Sequence, residues 1–176
     1  MSVNTQNIIR EMDWLQQLIA VRLRQGNSSI TGNSDSSIPE PPELILENSA
    51  YAHFVQNEAL TASDRLLLAL SLAPHVKPEL LDNFLAGKTN SGGRPLSEAG
   101  GLVGIQYRGF IPTGMTYLFL GAKYDLSRKL ELIKELKNNV LIKKGIIKFS
   151  LEAKIDPIHS GAIILNRDYL DQLIEI

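Results

Sequence analysis

The sequence contains no cysteine, so neither a disulfide framework nor thiolate chemistry is available to it. Long hydrophobic runs are also missing, and the longest, such as residues 66 to 70, are far too short to span a bilayer. The N-terminus lacks the basic and then apolar segments of a secretory signal. The net charge of −1 gives no overall attraction to nucleic acid or anionic membrane. These absences predict a soluble, cytoplasmic protein.

Charge is distributed unevenly along the chain. Residues 121 to 154 carry nine basic and four acidic side chains, whereas residues 1 to 60 carry three basic and seven acidic ones. A solvated helix face is the simplest interpretation of such a basic segment.

The spacing of apolar residues divides the chain into three parts. Residues 1 to 25 contain an amphipathic helix with Ile8, Met12, Leu15 and Ile19 on one side, and Asn4 or Thr5 is its expected cap. Residues 26 to 43 are dominated by Ser, Gly, Asn and Pro and predict a flexible linker. The helix is therefore expected to be tethered, with its apolar stripe free for a groove or a second copy. Residues 44 to 176 form the main domain.

The main domain reads as helices followed by a hairpin. Thr61 to Asp64 resembles a capping box before an apolar helix, Thr113 can cap GMTYLFLGA, and a helix follows from Asp125. A short strand is expected within the glycine-rich residues 87 to 112, near 102 to 106. Two β-branched runs, GIIKFSL and SGAIILN, predict one antiparallel hairpin. We predict a mostly helical α+β fold, with a winged-helix-like core, one β-hairpin and a tethered N-terminal helix.

The triplet Gly87-Lys88-Thr89 resembles the end of a nucleotide-binding P-loop. The position five residues before its glycine is Asp82, where a P-loop needs another glycine. The preceding PELLDNF has helical character, and NSGGRP after the triplet would break the helix that should follow. The triplet is better interpreted as a helix end that runs into a loop.

No catalytic or metal-binding set is evident, and no cofactor is predicted. His53, His75 and His159 are scattered without a second ligand at helical spacing. Glu131 and Glu135 lie among lysines on one helix, which is typical of exposed ion pairs. We therefore predict that the chain itself is not an enzyme.

Nucleic-acid binding is the main alternative to a protein-binding function. A basic helix over residues 125 to 139 and the wing after it could meet phosphates. The candidate side chains are Arg128, Lys129, Lys143, Lys144 and Lys148. Interspersed acids weaken this field, and the helix offers little for reading base edges.

Four stretches together resemble a known family: LLLALSLAPHVKPELLDNFL, GGLVGIQYRGFIPTGMTYLFLGA, DLSRKLELIKEL and SGAIILNRDYLDQLI. In this order they are similar to the region that precedes the ATPase module in bacterial AAA+ ATPases associated with extracellular contractile injection systems, the phage-tail-like particles. The resemblance covers roughly residues 44 to 174, and GFIPTGMTYLFL is its most specific piece.

The resemblance implies a winged-helix variant without ATPase activity of its own, because no Walker A or Walker B sequence is present. It implies an N-terminal recognition or regulatory domain that binds protein partners or a downstream ATPase module. Self-association through residues 4 to 25 is a further expectation. We expect the partner surface in the loop from 100 to 113, at Tyr107, Arg108, Gly109, Phe110, Pro112 and Thr113. The alternative is that Phe110 points into the core and that the glycines only permit turns.

Overall fold

The computed structural model describes residues 1–24, 38–86, 98–151 and 154–175. Its helices are α1 Val3–Arg24, α2 Ala50–Asn57, α3 Ala62–Val76, α4 Asn83–Ala86, α5 Gly114–Ala122, α6 Leu126–Lys137, α7 Val140–Lys143 and α8 Arg167–Ile174. Its strands are β1 Leu102–Val103, β2 Phe110–Ile111, β3 Ile147–Ser150 and β4 Ala162–Leu165, and short 3-10 helices span Pro78–Leu81 and Ile158–Ser160.

The predicted fold class, mostly helical α+β, is confirmed. The expected hairpin is the antiparallel pair β3 and β4, with Ile147 opposite Leu165 and Ser150 opposite Ala162. The strand expected near 102 to 106 is also present and pairs with β2. The described residues therefore contain two hairpins where the sequence predicts one.

Side-chain caps begin most of the longer helices at the predicted places. The Thr61 hydroxyl accepts a hydrogen bond from the Asp64 backbone N–H, and Asp64 returns one from the Thr61 N–H. Thr113 forms the same reciprocal pair with Thr116 at the start of α5. These caps satisfy donors that the first turn of a helix leaves unpaired. At α1 the prediction is wrong, because the hydroxyl of Ser2 accepts from the Thr5 N–H.

The short segment between β2 and α5 connects the first hairpin to the second. The Ile163 N–H donates to the Pro112 carbonyl at 2.9 Å, and the Gly114 N–H donates to the Gly161 carbonyl at 3.2 Å. The residues before α5 thus lie along the edge of β4 that β3 leaves free. Along the chain, β2 is followed by α5, α6, α7 and then the second hairpin.

Helix α1 is confirmed, but its apolar stripe lies inside the domain. Met12, Leu15, Leu18 and Ile19 are buried in one core with residues of α2, α3 and α5. Trp14 is also buried, and its indole Nε1 donates to the Pro39 carbonyl at 2.9 Å. The stripe that prompts the hypothesis of self-association through residues 4 to 25 is therefore covered within the chain.

Two buried asparagines attach the start of α1 to the rest of the domain. The Asn4 amide donates to the Leu173 carbonyl at 2.9 Å, and its oxygen accepts from the Ser49 hydroxyl and the Tyr51 N–H. The Asn7 amide donates to the Ile45 carbonyl at 2.7 Å and accepts from the Ile45 N–H at 3.0 Å. Asn4 is thus a tertiary contact and not the predicted helix cap.

A buried ion pair connects α1 to α3. Both oxygens of Glu11 accept from Arg65, at 2.9 Å from Nε and 2.6 Å from Nη2, and the Glu11 side chain is fully buried. Arg65 also donates to the Pro42 carbonyl at 2.8 Å. The Tyr51 hydroxyl lies beside the carboxylate without a hydrogen bond of standard geometry. Burial first, and then the charge of Glu11, raises the pKa of Tyr51 well above its usual value.

The predicted linker, residues 26 to 43, lies mostly outside the described residues. Its described end, residues 38 to 43, forms no helix or strand. The contacts of Trp14 and Arg65 with Pro39 and Pro42 hold this end against α1 and α3.

Candidate protein-interaction surface

The first hairpin stands on an aromatic base in the core. The ring of Phe110 in β2 stacks on Phe84 in α4, with ring centroids 4.7 Å apart and an interplanar angle of 17°. Phe84 in turn meets Phe119 of α5 edge to face at 6.3 Å. Phe110 is fully buried. Aromatic pairs of this kind add about 0.5–1.5 kcal/mol to the stabilisation from burial alone, so the hairpin has a firm attachment.

Two glycines let the hairpin fold closely over its own aromatic rings. Gly101 has a φ of +96°, and a Cβ at this position would overlap the ring of Phe110. A Cβ on Gly109 would overlap the ring of Tyr107 in the same way. A larger side chain is therefore excluded at Gly101, whereas at Gly109 the ring of Tyr107 would have to shift to admit one.

The first hairpin exposes three apolar side chains, two in β1 and one in the turn after it, which we call the apolar tip: Leu102, Val103 and Ile105. Their exposed fractions are 45%, 51% and 97%. The side chain of Ile105 thus contacts almost nothing within the chain. Exposed apolar residues that cluster on one rigid element are typical of interaction sites, whereas isolated ones are common on any surface.

The six predicted contact residues divide into a buried and an accessible group. Phe110, Pro112 and Thr113 are buried, so the expectation that Phe110 offers contact area to a partner is wrong: its ring fills the core. Arg108 is exposed, while Tyr107 and Gly109 are partly exposed. Only part of the predicted segment is therefore accessible, and the exposed apolar side chains of this loop are those of the apolar tip.

Tyr107 supports the turn between the two strands. Its hydroxyl is buried and has no hydrogen-bond partner among the described residues. Burial, followed by the carboxylates of Asp82 and Glu79, raises the pKa of this hydroxyl. Tyr107 is thus held against the 3-10 helix before α4, and its ring is only partly available to a partner.

The five candidate basic residues do not form one free cationic surface. Arg128 donates to Glu131 and Glu135 at 3.0 and 3.1 Å and to the Ser63 hydroxyl at 3.0 Å. Lys144 pairs with Glu58 at 2.6 Å. Lys129, Lys143 and Lys148 have no ion-pair partner in the part of the chain that the structure describes. Two of the five charges are therefore already neutralised by neighbouring carboxylates.

Helix α6 presents leucines at the position where a nucleic-acid reader would present polar groups. Leu132 and Leu136 are buried, but Leu126 and Leu130 are 66% and 49% exposed. The sequence predicts all four on the apolar side of this helix. Each pair of leucines is spaced four residues apart along the helix, but only one pair is buried in the core.

Among the described residues, no group of three or more His, Asp or Glu side chains could hold a metal ion. The triplet Gly87-Lys88-Thr89 lies outside the described residues. Glu131 and Glu135 are exposed and paired with Arg128, as the sequence predicts for ion-pairing residues.

An apolar groove of about 450 Å³, which the sequence does not predict, lies beside the first half of α1. Its walls include Ile8, Ile9, Met12, Val76 and Ile174. It forms only when both ends of the chain and the end of α3 meet, so no local pattern could have indicated it.

In the described residues, no helix is both long and apolar enough to cross a lipid bilayer. No protein-family model matches the chain, and comparisons with curated proteins and with solved structures find no significant match.

Proposed function

We propose that this chain is a non-catalytic recognition domain that binds a protein partner through the apolar tip. Its exposed side chains carry the proposal, because they belong to a hairpin that the buried ring of Phe110 anchors in the core. A rigid apolar element loses little conformational freedom on binding, and a few such side chains usually supply most of the binding energy.

The sequence resemblance supplies the cellular setting of this proposal. The chain would act as the N-terminal recognition or regulatory domain of a cytoplasmic bacterial AAA+ ATPase of a contractile injection system. It would bind a component of the phage-tail-like particle, or the ATPase module, and position it for the motor. Arg108, exposed beside the apolar tip, is suited to a polar contact at the rim of that interface.

Replacing Ile105 by serine tests the apolar tip. We expect Ile105→Ser to weaken binding to contractile particles, purified from the bacterium that encodes the chain, by at least about tenfold. Ile155→Ser is the matched control, since Ile155 is 93% exposed but lies in another loop. Biolayer interferometry with immobilised wild type and variants measures the difference.

Equal binding by both serine variants would reject the apolar tip as the contact surface. If the wild type bound neither the particles nor the ATPase module, the proposed function would be rejected.

Nucleic-acid binding through α6 and the wing remains the alternative function. The observation in its favour is that Lys143 and Lys148 are exposed and have no ion-pair partner among the described residues. We expect no binding to random duplex DNA at about 50 mM salt, because carboxylates already neutralise Arg128 and Lys144. In addition, α6 would present the exposed Leu126 and Leu130 to the DNA groove, where polar side chains are needed. Fluorescence anisotropy over a salt series measures this. Affinity that falls steeply as salt rises would establish the alternative instead.

A further inference from the structure

Helix α6 carries an exposed face, which we call the basic face, formed by Leu126, Leu130, Lys134 and Lys137. At 100° per residue these side chains lie within about 80° of one another around the helix. No carboxylate among the described residues pairs with either lysine. The basic face therefore combines exposed apolar area with two uncompensated positive charges.

The segment before α2 carries a surface of the opposite sign, which we call the acidic edge: Glu43, Ile45, Leu46 and Glu47. All four residues are exposed, Ile45 and Leu46 by 37% and 39%. Neither glutamate has a cationic partner among the described residues. The Asn7 side chain donates to the Ile45 carbonyl and accepts from the Ile45 N–H, and these two hydrogen bonds hold the segment of the acidic edge in place.

The first turn of α3 separates these two surfaces. Ser63 contacts α6 through Arg128 at 3.0 Å, and Arg65 contacts the segment of the acidic edge through Pro42 at 2.8 Å. Residues two positions apart project about 200° apart around a helix. The basic face and the acidic edge thus belong to segments that pack on opposite sides of α3, and they are not placed to cover each other within one chain.

We propose that the basic face of one copy binds the acidic edge of a second copy. Each surface offers two exposed aliphatic side chains and two charges, and the charges of one complement those of the other. Because such a contact joins two different surfaces, a pair of copies still has one basic face and one acidic edge free. Further copies can then bind head to tail. The apolar tip takes no part in it, so this assembly and the proposed function can fail separately.

Charge reversal tests the contact with the full chain. The first variant, Lys134→Glu with Lys137→Glu, makes the basic face acidic, and the second, Glu43→Lys with Glu47→Lys, makes the acidic edge basic. At low salt, we expect the sedimentation coefficient of the wild type to rise with protein concentration and to exceed that of a dimer. Each variant should remain monomeric. An equimolar mixture should regain association, because every face then meets its complement.

Lys143→Glu with Lys148→Glu is the matched control, since these lysines are exposed and unpaired but lie outside the basic face. It should associate as the wild type does, and Trp14 fluorescence should show that all variants are folded. A wild type that stays monomeric, a mixture that does not recover, or a control that loses association equally would each overturn the proposal.

Discussion

Replacing Glu11 by alanine is expected to destabilise the protein by about 3–5 kcal/mol, because it leaves the charge of Arg65 without its partner in a largely buried position. Arg65 would keep its bond to the Pro42 carbonyl but lose two charge-assisted bonds to the carboxylate. The variant also leaves a cavity beside the fully buried ring of Tyr51. Attachment of α1 to α3 should weaken most.

Urea unfolding followed by the fluorescence of Trp14 measures this loss, since the indole is buried on the same helix. Asp13→Ala is the matched control. Asp13 lies on the same helix as Glu11, and its exposed ion pair with Lys77 should contribute less than about 1 kcal/mol to stability. Equal costs for both variants would show that the buried pair contributes no more than a surface pair does. Replacing both Glu11 and Arg65 by methionine should recover part of the stability.

Replacing Phe110 by alanine is the second large effect, with an expected cost of about 3–5 kcal/mol. Its ring fills the core, stacks on Phe84 and lies over Gly101, so truncation empties the base of the first hairpin. Phe110→Leu keeps most of the volume and should cost less, about 1–2 kcal/mol.

The residue opposite Phe110 in the hairpin provides the control. Val103 pairs with Phe110 across the strands but is half exposed, so Val103→Ala should change stability by less than about 0.5 kcal/mol. Thermal unfolding by circular dichroism compares the two. If Phe110→Ala left the melting temperature unchanged and only reduced partner binding, the ring would be a contact residue, and the description of the core given above would be wrong.

Local signals explain why the helices and the second hairpin could be predicted from the sequence. Thr61 and Thr113 cap helices at the expected places, because the signal is a short polar side chain directly before an apolar periodic segment and depends on no distant part of the chain. The β-branched runs of β3 and β4 pair for a similar reason: they are close in sequence and a turn-prone segment separates them.

Polar contacts between distant segments account for most of what the sequence did not indicate. The sequence predicts that Glu11 lies on the exposed side of its amphipathic helix. Its burial depends on the ion pair with Arg65, 54 residues away, which offsets the cost of removing the carboxylate from water. The amides of Asn4 and Asn7 likewise find partners 38 to 169 residues away. Without these partners the sequence predicts a separate helix, which is why the packing of α1 was not foreseen.

The candidate surface was only partly predictable. Glycine density placed residues 100 to 113 at the surface, but which aromatic or aliphatic side chain faces outward depends on the register of β1 and β2. That register puts Phe110 in the core and leaves Ile105 beyond the paired strands. Helix α6 shows the same limit, since leucine spacing alone does not distinguish its buried row from its exposed one.

The hydrogen bond between the Asn4 side chain and the Leu173 carbonyl spans 169 residues of sequence. During synthesis the Asn4 amide is made long before the Leu173 carbonyl, its hydrogen-bond acceptor. Until then this amide can form hydrogen bonds only with water. Docking of α1 can therefore be completed only after α8 has emerged, and we infer that α1, although it is made before α2 to α8, is among the last of these helices to be fixed in place.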